Sequence, residues 1–381
     1  MHGGEHEPDL AEQALRQHLS RKAFLTSTAA GGIGLWLAAC GGDDDSSTSG
    51  ASSTTDQKSD VTLGLITYIN WIGKGELKGL KDATGITVKQ IAANSSDDRL
   101  AKIQSDPNAG DLVLADLSFA GRLDGLGLLA DLDYSKIPNI EKVDKQLRID
   151  LASPDKAKLS PTDYGRSGIL YRKDKVSSPP QSWAEFFDMA PKYSGKVSML
   201  DFSDGTLPVA LIASGHSTNT TDESEINEAA DKLIAIKPHV KAFITADEAK
   251  PILDGSAYIA QVEDWAAAAA LAEDKNVGWI DPSDGIHAYV EGWVGLKASP
   301  HIEEVQRMMD YHLQPKVAAN FANTLSIAPI EREAVQYIDP KLKKSPITNP
   351  SPDVLDRIEF KKFVGEAQKL YDDAWARFKS A

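Results

Sequence analysis

The chain has 381 residues, of which 41% are hydrophobic and 25% charged, and its formal net charge is −15. This composition excludes bulk disorder and collagen-like repeats, and the acidic balance argues against a nucleic-acid-binding surface. With a single cysteine, Cys40, neither an intramolecular disulfide nor a cysteine-built metal site is available.

Residues 1–23 are polar and close with the cations Arg21 and Lys22. The run Phe24 to Ala39 is apolar but contains Gly31, Gly32 and Gly34, which makes it too short and too weak for a membrane span. A charged start, a short apolar stretch and small residues before a cut site describe an export signal over residues 1–39. Leu37-Ala38-Ala39-Cys40-Gly41 resembles the end of a bacterial lipoprotein signal, which implies that Cys40 is lipidated and becomes the mature N-terminus. Ser20 to Leu25 resembles a twin-arginine motif with Lys22 in the place of the second arginine. The competing reading, a cysteine buried in a helix, conflicts with Gly41 to Ser59, a polar low-complexity stretch that could not continue one. Residues 40–60 are therefore expected to be the lipidated cysteine and a flexible tether spanning roughly 25 Å.

From Val61 onward, short apolar runs alternate with amphipathic segments. Strands are expected at Val61–Thr67 and Ile86–Ile91, around a helix from Gly75 to Thr84 that stops at Gly85. A helix at Ser96–Gln104 precedes the apolar strand Asp111–Ala115. Further strands are expected at Gly168–Arg172 and Ala257–Gln261. Ser182-Trp183-Ala184-Glu185 forms a capping box, and Asp222–Ile236 is a periodic helix ended by Pro238. The C-terminal part reads as helical over Pro300–Asn323 and Asp353–Lys379. The alternation implies an α/β architecture with mainly parallel sheets.

Residues 40–381 contain five histidines, His216, His239, His287, His301 and His312, with no H-x-x-x-H pair. They contain no G-x-S-x-G elbow and no P-loop. No catalytic residue, metal or cofactor is expected, although a dispersed carboxylate pair for hydrolysis stays open because the fold sets such pairs.

Several segments then occur in a telling order: Tyr68-Ile69-Asn70-Trp71, Ala83–Val88, Leu126–Asp133, Ser182–Phe187, Tyr193–Val197, Asn219–Asp222 and Leu313–Ala318. Together they resemble an extracellular solute-binding protein of the spermidine/putrescine-binding type, the receptor of an ABC importer. The resemblance covers nearly all of residues 61–381 and implies a periplasmic-binding-protein-like fold, with two α/β lobes, a ligand cleft and crossing hinge strands. It implies a first lobe of residues 61–163 plus about 291–330, a second of 164–290, and C-terminal helices over 331–381. The chain would leave the first lobe near Asp163 and return near Tyr289. The partners implied are a small cationic amine, the permease and ATPase, and the membrane through the lipid anchor. No nucleic acid is implied, and the receptor is expected to be a monomer.

A linear polyamine needs carboxylates for its ammonium groups and aromatic faces along its methylenes. Four buried methylenes contribute roughly 3 kcal/mol and each cation–π contact about 0.5–2 kcal/mol, so micromolar affinity requires at least two well-placed acids. By resemblance, Glu291 stands where the family grips an ammonium, with Tyr289 and Trp293 around it. Trp71 falls near an aromatic wall, where core packing competes. Asp116, with Phe119 three residues on, either adds a carboxylate or caps a helix. Asp163 or Tyr164 lines the cleft at the crossing strand. Asp201 and Asp204 have the spacing of a family acid pair, one residue out of register. Glu263 stands where a tryptophan is usual. Lys361 and Arg166 bring positive charge, which would suit a zwitterion or ω-amino acid if both face the cleft, and leaves the polyamine reading intact if they pair with protein acids. An exported hydrolase is the alternative of another class.

Overall fold

In this computed structural model, residues 58–69, 71–93, 95–144, 147–148 and 157–381 are described. The leader, Cys40 and the tether up to residue 57 lie outside the described residues. The body begins slightly before Val61: the Ser59 amide donates to Thr84 O at 2.8 Å and its hydroxyl donates to Glu304 at 3.2 Å.

The first elements are β1 (Thr62–Thr67), α1 (Glu76–Thr84), β2 (Thr87–Ala92), α2 (Ser96–Ser105), β3 (Leu112–Asp116) and α3 (Leu117–Gly125). Gly85 ends α1 at φ 79°, a conformation that suits a residue without Cβ. The long strand β4 (Leu159–Arg172) leads to α4 (Trp183–Met189), β5 (Val197–Leu200), α5 (Ser203–Ala213) and α6 (Glu223–Ile236). Ser182 caps α4 by accepting from the Glu185 amide at 3.0 Å, as the capping box requires. Then come β6 (Val240–Ile244), β7 (Ile259–Glu263), α7 (Asp264–Glu273), β8 (Val277–Ile280) and a second long strand, β9 (Ile286–Gly295). The chain ends through α8 (Ile302–His312), α9 (Pro315–Leu325), β10 (Ile358–Phe360) and α10 (Gln368–Ser380), with single-turn helices in the loops.

The strand order is β2-β1-β3-β9-β4-β7-β5-β6, with β10 beside β9 and β8 beside β4. Strands joined through helices pair in parallel, as β1 does with β2 and β3, and β5 with β6 and β7. Every antiparallel ladder involves β4 or β9. The expectation of mainly parallel sheets is therefore corrected to a mixed sheet, because the two long strands cross the molecule directly without a helical return.

Two large apolar cores flank these crossing strands. Leu63, Leu65, Leu114, Leu123, Val294 and Met309 belong to the first. Trp183, Phe186, Leu211, Leu233, Ile259 and Phe378 belong to the second. Burying each such side chain contributes about 1.5–3 kcal/mol. β4 places Leu159 and Tyr164 in the first core and Ile169 in the second, and so stitches them together.

Three expectations change. β4 starts nine residues before Gly168, because Ser160, Thr162 and Asp163 hide a buried strand behind polar side chains. The stretch Pro300–Asn323 is two helices, since Pro315 at the start of α9 cannot continue α8. Asp353–Lys379 is interrupted by β10, which pairs in parallel with Ile286–Ala288 of β9.

Candidate functional site

The register of three neighbouring strands builds the centre of the site. Asp116 at the end of β3 lies opposite Glu291 of β9, and Glu291 lies opposite Asp163 of β4. Residues directly opposite in adjacent strands project from the same face, so three carboxylates form one row across the sheet. A register shift between Pro161 and Asp163 aligns the last of them.

Glu263 at the end of β7 extends the row. Its Oε2 accepts from Trp265 Nε1 at 2.7 Å and from the Tyr289 hydroxyl at 3.4 Å. Tyr289 can reach this far because it crosses Gly165: a Cβ there would lie 2.3 Å from the Tyr289 hydroxyl oxygen. Behind Glu263, the carboxylate of Glu248 accepts from the Glu263 backbone amide at 2.8 Å.

These acids are held away from water. Glu291 is 8% exposed and Asp163 2%. Burial, reinforced by the neighbouring charge of Asp163, holds Glu291 well above the usual carboxylate range. Burial likewise pushes Glu263 up to about 7 and Asp163 up to about 6. Among the described residues, Glu291, Asp163 and Glu263 form no salt bridge with a protein cation.

Two basic side chains come near this row without closing it. Arg99 stacks on the Tyr68 ring, 4.1 Å from its centroid, and donates from Nη1 to Leu114 O at 2.9 Å. Its charge favours ionisation of Glu291, while Nε and Nη2 have no hydrogen-bond partner among the described residues. His312 lies within electrostatic reach of Asp163 but is engaged by Glu76, with Nδ1 2.7 Å from Oε1.

At the far end, Asp204 in the first turn of α5 feels the charges of Asp116 and Lys361, and burial pushes it up to about 6. Asp116 also caps α3, accepting from the Phe119 amide at 2.9 Å, so the capping reading holds while its charge still reaches Glu291 and Asp204.

The structure thus groups Asp116, Asp163, Asp204, Glu263, Tyr289 and Glu291. Tyr164 points into the first core, where its ring meets Phe360 at 6.5 Å. Phe119 belongs to the same core. Trp293 shares the face of Glu291 but is 1% exposed and packs 4.5 Å from the His312 ring. Trp71 packs edge-on against Tyr68 and Phe321. It lies close enough to Asp163 to favour the ionised form, yet its indole N–H completes no hydrogen bond of standard geometry. Asp201 forms an ion pair with Lys379 of α10. Arg166 pairs with Asp264 and Asp281 instead of facing the acids, bonding at 3.2 and 2.7 Å. Sequence reasoning passed over Arg99 and Glu248. Neither sits in a recognisable motif, because one belongs to an ordinary amphipathic helix and the other to a loop.

The whole chain can now be set beside known proteins. The family model for bacterial extracellular solute-binding proteins matches residues 77–350. The chain belongs to this family. As such it is a transport component that binds a solute, and not an enzyme. The spermidine/putrescine-binding periplasmic protein 1 of Haemophilus influenzae is 24% identical over 324 residues, covering 84% of this chain and 89% of the relative. The spermidine/putrescine-binding periplasmic protein of Escherichia coli is 23% identical over 321 residues, covering 84% and 92%. Among solved structures, the TpPotD lipoprotein of Treponema pallidum superposes with a TM-score of 0.73 at 25% identity, covering 83% of this chain and 99% of that one. Solute-binding proteins of ABC transporters bind small ligands and deliver them to the permease and ATPase, so the expected fold and receptor role hold for this solute-binding protein.

Proposed function

We propose that this solute-binding protein captures a small aliphatic amine of the polyamine class in the acid row between its two cores. The observation that carries the reading is the in-register line Asp116–Glu291–Asp163, extended by the half-buried Glu263: the two inner carboxylates are buried, and neither they nor Glu263 has a salt-bridged cation among the described residues. Buried like charges of this kind are costly, and an ammonium ligand relieves them while Tyr289 covers its methylenes. The names of the relatives from H. influenzae and E. coli support the same ligand class.

A thermal-shift panel of putrescine, spermidine and agmatine tests this. Ligand at 100 times its dissociation constant adds about 2.7 kcal/mol of stability, a readily measured shift. A melting point that no member of the panel raises overturns the reading.

Export and anchoring complete the proposal. Cys40 serves as the lipidated mature N-terminus, residues 41–57 as the tether, and the receptor acts as a monomer. Cys40→Ser is expected to move the protein from the membrane fraction to the soluble one, and continued membrane retention counts against the anchor.

A further inference from the structure

The strands of the second core carry opposite charge at their two ends. Glu263 closes β7 and Asp204 follows β5, so acids lie at the C-terminal ends. At the other end, Lys196 precedes β5, His239 precedes β6 and Tyr258 precedes β7. The antiparallel partners reach the same edge, with Lys173 just past β4 and Lys275 just before β8. Backbone bonds join these positions into one rim. The Tyr258 amide donates to Lys196 O at 2.7 Å, the Arg172 amide to Tyr258 O at 2.9 Å, and the Lys173 amide to Asn276 O at 2.7 Å.

Two tyrosines floor part of this rim. The Lys196 ammonium lies 4.9 Å from the Tyr258 ring centroid and the Lys192 ammonium 5.4 Å from that of Tyr193, and the two rings meet edge to face at 6.5 Å. On the other side of Arg172, Lys173 Nζ donates to Lys275 O at 3.1 Å. The acids nearby are largely spent: Arg172 takes Asp174 and Asp274 at 2.9 and 3.0 Å, and Lys250 pairs with Asp254 at 3.2 Å. Among the described residues, no salt bridge reaches Lys173, Lys192, Lys196 or Lys275. Asp188 and Glu273, which adjoin these lysines in sequence, leave the rim cationic in a chain whose net charge is −15. Lys361, whose ammonium also lies 4.1 Å from a tyrosine centroid, is 3% exposed. By contrast, Lys173, Lys192 and Lys275 are exposed and Lys196 half-buried.

Lysine stems that lie on aromatic faces while their ammonium groups reach water suit a boundary between an apolar and a charged medium, as do half-buried tyrosines. The ammonium groups sit over different rings and strand ends instead of converging on one point, so they fit a plane of many anions better than a single small one. We propose that this rim docks on the anionic phosphate headgroups of a phospholipid bilayer, which turns the acid row at the opposite strand ends away from the membrane. The inference rests on the anchoring reading above, which brings a bilayer within reach. Residues 41–57 extend to roughly 58 Å, more than the roughly 45 Å that β4 spans from the first core to this rim.

Vesicle flotation tests the docking. Residues 58–381 form a compact unit of their own, so the chain from residue 41 onward is used, which carries neither the leader nor Cys40. It is expected to bind phosphatidylcholine vesicles containing about one third phosphatidylglycerol at least tenfold more tightly than phosphatidylcholine alone. High salt should abolish the difference. Combined Lys173→Gln, Lys192→Gln and Lys275→Gln, all at exposed positions, should weaken binding to the anionic vesicles at least tenfold. Combined Lys81→Gln, Lys89→Gln and Lys136→Gln, which remove the same charge from exposed positions beside the first core, should leave it unchanged. Equal binding to both vesicle types overturns the inference, as does no binding, or an equal loss in both triple variants. Self-association that only the rim variant abolishes, without vesicle binding, assigns the rim to a second copy and overturns the lipid assignment. Because the anchor is absent from this assay, failure here is distinct from failure of the Cys40 reading, which fractionation measures.

Discussion

Two groups of acids on and beside the crossing strands, each with at least one fully buried member, are treated in opposite ways. Asp264 and Asp281 converge on Arg166, which is fully buried and also donates to Ile347 O at 2.8 Å and Pro346 O at 3.3 Å. Asp163 and Glu291 are buried and Glu263 half-buried, and none of the three has such a cation among the described residues. The first group is closed on itself: removing its cation strands two carboxylates, whereas its intact form offers a ligand nothing. The second group is incomplete within the chain. The difference teaches that counting buried charges does not locate a binding site, and that the presence or lack of an internal counter-charge does.

The comparison is most readily broken at its closed end. Arg166→Met is expected to lower unfolding free energy by about 3–5 kcal/mol, the usual cost of stranding a buried charge. Denaturant unfolding measures it, and a loss below 1 kcal/mol would show that the network is ornamental. At the open end the expectation reverses. Glu291→Gln should weaken amine binding by about 2–3 kcal/mol, yet leave the unliganded protein equally or more stable, because it removes a like charge from Asp163. Calorimetry and a melting curve separate the two quantities, and unchanged affinity would remove Glu291 from the site.

pH sharpens the same contrast. Burial raises Glu263 to about 7 and Asp163 to about 6 in the folded protein, above their ordinary values near 4. The folded form therefore holds more protons than the unfolded form between these limits, and the stability from these groups is lost as pH rises from about 4 through 7. A bound ammonium requires the ionised acids, so the ligand-induced rise in melting temperature should grow over the same interval. Melting curves at pH 5, 6, 7 and 8 check both signs, and a ligand effect independent of pH would place the amine elsewhere. The smallest change is expected from Asp201→Asn. The Asp201–Lys379 pair is partly exposed, so its loss should cost no more than about 0.5 kcal/mol and leave affinity untouched. A drop in amine affinity would return Asp201 to the site.

The fold was largely legible because periodicity and punctuation are local. The Ser182 capping box and Gly85 announce helix ends that the structure contains. Glu291 was legible through resemblance alone. Its alignment with Asp116 and Asp163 was not, since it depends on how β3, β9 and β4 register, including the shift after Pro161. The same limit applies to the cations: Arg166 and Lys361 look alike in a string of letters, and only tertiary packing gives one two aspartates of its own and lays the other against Tyr371. Asp201 and Asp204 show the limit over three residues, one facing α10 and the other the acid row.

The paired strands β4 and β9 carry Asp163 and Glu291 and also join the two cores. Any rotation of one core against the other that bends at these strands has its axis there, and points on an axis scarcely travel. Asp163 and Glu291 therefore keep their separation throughout such a movement, while Asp204, on the helix that follows β5, turns with the second core.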